Sequence, residues 1–254
     1  MTGGSEHHKE AIAALAEREY SRSGDEYTRA AWRRLADPRD DLGPFDSDEK
    51  GWVGRGVQSL VTAALAYRVA GDTARATRRA VQGVAIARDL GTTADHPAQS
   101  ACFTEFVGDL RAAAGLDGVT DAYQSAEQAY REAGDSIDSP QTWGTTPLFE
   151  AASGTIKQLA RGPANGEIAV KWEDLHGADP GSPGDFLAAR GVYKRQRFAS
   201  LVDTAVSDGY LAAPRGTTEY DNSNHRCPQC GSNDVNWAGG NVLCMRCSTP
   251  AERR

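Results

Sequence analysis

Four of the five cysteines in this sequence form two Cys-x-x-Cys pairs near its carboxyl end. The first pair is Cys227 and Cys230, and the second is Cys244 and Cys247. Each such turn places two thiolates on one side of a metal ion, and Zn²⁺ prefers four soft ligands in a tetrahedron. A redox-active pair and an iron–sulfur cluster are the alternatives, although no βαβ pattern of a redox protein surrounds the cysteines. The spacing therefore predicts one structural zinc ion per chain, because four cysteines leave no coordination position open.

The thirteen residues between Cys230 and Cys244 must return the chain so that the two turns meet. They contain DVNW, AGG and NVL, two alternating stretches around a glycine-rich turn, which predicts a β-hairpin. The cysteine pairs and this hairpin resemble a zinc ribbon over residues 225–249. The resemblance implies a segment that the metal keeps folded, because it is too small to bury its own core. It also implies a contact with protein or nucleic acid, for which Trp237 is the candidate, although this side chain could equally pack on the hairpin.

The first half of the sequence predicts paired helices. Apolar residues recur at helical spacing in residues 8–36, 57–90 and 98–133. Each stretch contains a predicted break at a glycine with a nearby aspartate, a combination that can end one helix and cap the next. The predicted breaks are Gly24-Asp25, Gly71-Asp72 and Gly115-Leu116-Asp117. Small residues follow the second and third breaks at helical spacing and would let paired helices approach closely: Ala76, Ala80, Gly83, Ala122, Ala126 and Ala129.

The spacing of small and aromatic residues around the second break resembles a tetratricopeptide-type array of helical hairpins. The matching positions are Ala64, Tyr67, Gly71, Ala76, Ala80 and Gly83. The resemblance covers about residues 8–135, but the glycines are 44 and 47 residues apart, longer than the family's usual period of about 34 residues. A plain helical bundle is the alternative. An array implies a curved surface that holds a peptide or helix of a partner protein.

Residues 37–52 predict a polar loop, and residues 134–147 a second break. Beyond it, residues 148–162, 166–177 and 185–209 predict helices, and residues 210–220 an extended segment that could complete a winged helix. The alternative is a continuation of the helical packing. Arg190, Lys194 and Arg197 share one face of the last helix and are candidates to bind phosphate or an acidic partner, or to form a solvated face.

Charge and composition limit the remaining function classes. The net charge is −7, with −7 in residues 1–140 and +3 from residue 190 onward, so only the tail could touch nucleic acid. No apolar run of transmembrane length and no apolar signal core is present, which predicts a cytoplasmic protein without a membrane partner. No GxSxG, HExxH or P-loop pattern occurs.

These observations predict a mainly α-helical protein in three parts: a helical array (1–135), a helical segment (136–222) and a zinc ribbon (223–254). We expect a non-enzymatic adaptor or regulator that binds a protein partner through the array. The first alternative is a nucleic-acid-binding regulator in which residues 148–222 form a winged helix and the ribbon assists, with nucleic acid contacting residues 190–254. The second is an enzyme with a pocket around Glu173, His176 and Arg190.

Overall fold

A computed structural model of the chain describes residues 3–36, 52–161 and 166–254. These ranges contain ten α-helices, one short 3₁₀ turn and five strands. The helices are α1 (Gly3–Ala16), α2 (Tyr20–Leu35), α3 (Trp52–Val69), α4 (Thr73–Thr93), α5 (Pro97–Ala114), α6 (Val119–Glu132), α7 (Pro140–Gly144), α8 (Pro147–Leu159), α9 (Trp172–His176) and α10 (Pro183–Ser207). The strands are β1 (Thr217–Glu219), β2 (His225–Arg226), β3 (Val235–Ala238), β4 (Asn241–Cys244) and β5 (Glu252–Arg253). The predicted class, mainly α with a small β region at the carboxyl end, is confirmed.

Two of the three predicted helix breaks lie where the glycines predict them. Gly71 and Gly115 adopt positive φ angles of 80° and 68°, and α3 and α5 end just before them. The side chain of Asp72 then accepts a hydrogen bond from the backbone N–H of Arg75 and caps α4. Left-handed backbone is accessible to glycine at low cost, so these two breaks follow from local chemistry alone.

The predicted break at Gly24-Asp25 is wrong. Gly24 lies inside α2, and the chain turns earlier, between α1 and α2, where Arg18 has a φ of 62°. Gly24 instead meets the ring of Tyr67, since a Cβ at this position would lie 2.7 Å from that ring. The glycine permits a close helix–helix approach and does not end a helix. The predicted loop over residues 37–52 falls outside the described residues, apart from Trp52.

The helical body is built around α3 and α5. From α1 to α6, each helix packs on the one before it in the chain, as helical hairpins do. Ala76, Ala80 and Gly83 are buried on α4, and Gly83 meets Leu110 so closely that a Cβ would lie 2.5 Å from it. The later helices α8 and α10 then pack across both α3 and α5. As a result, α5 is enclosed along most of its length and the described helices form a closed bundle.

Within residues 136–222, the described part contains the helices α7 to α10, of which α8 and α10 pack on α3 and α5. The predicted helix over 185–209 corresponds to one continuous helix, α10, which ends at Ser207. The predicted helix over 166–177 is confined to the five residues of α9, and Ile168 instead forms an isolated bridge with Arg161. The extended segment 210–220 contributes β1. This strand pairs with β3 of the cysteine region (residues 223–254) instead of folding back on itself.

The strands form two small antiparallel sheets beside the cysteines. The first has the order β1-β3-β4, and the predicted hairpin is confirmed as β3 and β4, with Trp237 opposite Val242 and a turn at Gly239-Gly240. The second joins β2 to β5, with His225 opposite Arg253. The hairpin rests on α1, because Gly239 contacts Ile12 and the Asn241 side chain donates to the Lys9 carbonyl at 3.2 Å. The cysteine region is therefore docked on the helical body.

None of the helices within the described ranges is long and apolar enough to cross a membrane.

Candidate metal centre

The structure brings the four paired cysteines together. The sulfur atoms of Cys227, Cys230, Cys244 and Cys247 all lie within 4.8 Å of one another. Three sulfur–sulfur distances are 3.5, 3.5 and 3.8 Å, for the pairs 227–247, 230–244 and 230–247. Four sulfurs at about 2.3 Å from a central ion would lie about 3.8 Å apart at the corners of a tetrahedron. The four residues can therefore hold one metal ion with little rearrangement.

Each sulfur pair is delivered by a turn with the same hydrogen-bond pattern. In the first turn, the backbone N–H of Gly231 donates to the Cys227 carbonyl at 3.0 Å, and the N–H of Cys227 donates to the Ser232 carbonyl at 2.9 Å. In the second turn, Ser248 and Thr249 make the equivalent bonds with Cys244, at 3.0 and 2.7 Å. The first turn precedes β3 and the second begins at the end of β4. Pairing of these two strands therefore brings two ligands from each turn to one site.

The second turn departs from the first at the residue after its last cysteine. The residue after the last cysteine of each turn has a left-handed backbone, with a φ angle of 74° at Gly231 and of 58° at Ser248. A serine costs more than a glycine in this conformation. The buried Ser248 hydroxyl oxygen accepts a hydrogen bond from the Ala213 N–H at 2.9 Å and lies 3.3 Å from the Tyr210 hydroxyl. The serine thus ties the second turn to the segment that follows α10.

Arg161 forms a second tie between the helical body and the cysteine region. Its side chain is buried, and its guanidinium donates to the carbonyls of Gly166 at 3.1 Å, Met245 at 2.5 Å and Ala213. Met245 is the residue after Cys244, so the end of α8 holds the second turn directly. Burial lowers the pKa of Arg161 below its ordinary value. Nothing in the spacing of Arg161 to the cysteines would have predicted this contact.

Two of the basic residues expected to meet a partner are instead in the core. Arg190 and Lys194 on α10 are fully buried, so their prediction as exposed binding residues is wrong. Arg190 forms a two-pronged ion pair with Glu105 of α5, at 2.7 and 2.8 Å. Lys194 lies 2.7 Å from both Glu105 and Asp109. These four charges neutralise one another, which is the condition for burying them.

The buried ion pairs are completed by two tyrosines. The Tyr130 hydroxyl donates to Glu105 and the Tyr123 hydroxyl donates to Asp109, both at 2.8 Å. Burial alone would raise the pKa of Glu105, but the charges of Arg190 and Lys194 outweigh it and lower that pKa to about 2. Glu105 and Asp109 lie four residues apart in α5, so both carboxylates are on the same face of that helix.

The other candidate residues lie in separate places. Arg197 is exposed on α10, about one helical turn after the buried Lys194. Trp237 is 40% exposed on β3, at the surface of the cysteine region. The three residues expected around an enzyme pocket differ in their burial and surroundings. Glu173 is exposed, and Arg190 is paired in the core. His176 is buried under Trp172, with the two ring centroids 3.8 Å apart. Burial, helped by the charge of Arg190, lowers the pKa of His176 to about 4.

Comparisons with known proteins give no match. No protein-family model matches the sequence, and neither a curated protein nor a solved structure is significantly similar to it. The arrangement of the cysteines and the buried contacts around them is therefore what bears on function.

Proposed function

We propose that the four cysteines bind one zinc ion and that this ion has a structural role. The observation that supports the proposal is the gathering of four sulfurs at tetrahedral spacing in two matched turns. A set of four thiolates is typical of structural zinc and leaves no position for water or substrate. The metal supplies folding free energy to a segment whose strands are only two to four residues long.

The proposed role of the whole protein is that of a non-enzymatic adaptor or regulator. The four cysteines form a closed ligand set, and the charged residues of the core pair with one another. Both observations favour a binding role of the protein over an enzymatic role. However, α8 and α10 pack on α3 and α5, where an open array of helical hairpins would receive a partner. We therefore assign the contact with a partner to the outer surface of the protein. Within that surface we choose the cysteine region, because it is more distinctive than the helical body. The helical body acts as a rigid scaffold for that region.

Metal analysis of the purified full-length protein tests the zinc assignment. We expect one zinc per chain in the wild type and a loss of zinc in Cys244→Ser. The matched control is Cys102→Ala, since Cys102 is buried in the helical core and is not one of the four clustered cysteines. This control should keep its zinc. A folded wild-type protein that carries no zinc, or equal zinc content in Cys244→Ser, would refute the assignment.

Affinity capture from the native cells, with and without nuclease, tests the adaptor role. Wild-type protein should retain a defined protein partner after nuclease treatment, and Cys244→Ser should lose it if the cysteine region makes the contact. Turnover of a small molecule by the purified protein would instead favour an enzyme.

A further inference from the structure

A cleft with three arginines lies beside the first cysteine turn. It has a volume of about 370 Å³. Its lining residues are Arg226, Cys227, Pro228, Gly231, Glu252, Arg253 and Arg254. Arg226 donates to the Gly231 carbonyl at 3.3 Å and Arg254 to the Asn233 side chain at 2.5 Å, so both side chains are held at the cleft. In the described part of the chain, no carboxylate lies within ion-pair distance of these three arginines. They outnumber the single acidic residue of the cleft, Glu252.

An exposed aromatic surface adjoins the cleft. Trp237 is 40% exposed and carries the ring of His225 against its edge, with centroids 5.5 Å apart and planes at 86°. His225 is opposite Arg253 in the pairing of β2 with β5. The aromatic pair therefore adjoins the cleft at Arg253, because residues opposite each other in an antiparallel pair share a face.

The charge of this region is opposite to that of the remaining chain. Residues 223–254 contain four arginines and two acidic residues, a net +2, whereas residues 1–222 contain 24 basic and 33 acidic residues, a net −9. A polyanion that approaches the protein is repelled by most of its surface and attracted to this one region.

We propose that the surface formed by Trp237, His225 and the arginine cleft binds single-stranded nucleic acid. The arginines contact consecutive phosphates of the strand. An unstacked base lies on Trp237, which a duplex could not provide because its bases are already stacked. The arginines and the exposed tryptophan together favour single-stranded nucleic acid over an acidic peptide, because acidic side chains have no flat ring to stack on Trp237. The proposal gives this region a nucleic-acid ligand in addition to the protein contact of the proposed function, and it rests on the proposed function for the choice of the region.

Fluorescence anisotropy of labelled (dT)15 and U15 with the full-length, zinc-loaded protein tests the proposal. Contact with three phosphates predicts that affinity falls roughly 20-fold between 50 and 200 mM salt. Trp237→Ala should weaken binding by about fivefold or more through the lost stacking. Arg253→Gln/Arg254→Gln should weaken binding and reduce the dependence on salt by about two charges.

Matched variants elsewhere on the protein separate a local site from general attraction. Arg78→Gln/Arg88→Gln removes two exposed arginines from α4, and Trp172→Ala removes a tryptophan that is 51% exposed. Both should bind the oligonucleotides as the wild type does. The proposal is overturned if neither oligonucleotide binds at 50 mM salt, if the α4 variant loses as much affinity as the cleft variant, or if polyglutamate competes as well as (dT)15. Zinc measured on the same sample distinguishes the two accounts, since a zinc-loaded protein that binds no oligonucleotide contradicts this inference alone.

Discussion

At the scale of single residues, burial decides what each charged side chain can do. The sequence places Arg190, Lys194 and Arg197 on one helical face, and the structure divides them between the core and the surface. Their partners, Glu105 and Asp109, are 85 residues distant from Arg190 and Lys194 in sequence. Helical periodicity reports which residues share a face but not what covers that face, so this pairing lay beyond what the sequence could predict.

Replacing Arg190 by leucine should strongly destabilise the protein. The substitution leaves the buried Glu105 carboxylate with one cation where it had two, and removing one member of a buried ion pair costs about 3–5 kcal/mol. Urea unfolding should show a matching fall in the free energy of unfolding. Arg197→Leu is the exposed control on the same helix and should change it by no more than about 0.5 kcal/mol. Equal effects of the two substitutions would contradict the pairing.

His176 should make stability fall as the pH is lowered from about 6.5 to 4. The folded protein keeps this histidine neutral down to its pKa of about 4, whereas the unfolded chain takes up a proton near the ordinary histidine pKa of 6.5. Its contribution is therefore complete above pH 6.5 and is lost as the pH falls to 4. His176→Phe should reduce the loss over this interval relative to the wild type. Thermal unfolding of both proteins at each pH checks this, and parallel curves would contradict it.

At the scale of elements, local chemistry predicts turns well and close packing poorly. Gly71, Gly115 and the Gly239-Gly240 turn end elements where expected, because positive φ is a property of the residue itself. Gly24 was misassigned because its role is set by Tyr67, a residue on another helix. The cysteine spacing predicts the candidate site because each Cys-x-x-Cys turn is local, but the ties through Arg161 and Ser248 are long-range contacts without a sequence pattern.

Substitutions at Ser248 should separate backbone strain from its anchoring hydrogen bond. Ser248→Ala keeps a side chain in the left-handed conformation and leaves the buried Ala213 N–H without its acceptor, which costs about 1–3 kcal/mol. Ser248→Gly loses the same bond but relieves about 1 kcal/mol of backbone strain. The glycine variant should therefore be the more stable of the two in urea unfolding. A reversed order would show that the left-handed turn carries little strain.

At the scale of the whole molecule, a small region that carries the four clustered cysteines rests on a larger helical core. Most buried apolar residues belong to the helices, and the cysteine region contributes Ala238 and Leu243 to the same core. Arg161 and Ser248 couple the two parts through hydrogen bonds. The sequence predicts both parts, but it treats them as separate domains because no local pattern reports a docked interface.

Metal removal should therefore loosen the cysteine region first. After treatment with a strong zinc chelator, backbone amides of β3, β4 and the two cysteine turns should exchange with solvent faster, because the ligand repulsion that replaces the metal opens the turns. Amides of α3 and α5 should stay protected. Hydrogen exchange read by mass spectrometry checks both regions in one experiment. Simultaneous loss of protection in α5 would show that the two parts unfold as one unit.

The measurement that tests the account most directly is X-ray absorption at the zinc edge of the purified full-length protein. The account predicts one zinc per chain with four sulfur neighbours at about 2.3 Å and no nitrogen or oxygen neighbour. A spectrum that requires an oxygen or nitrogen ligand would indicate an open or mixed site and contradict a purely structural metal. A protein that is folded in residues 217–254 without any bound metal would contradict the central claim altogether.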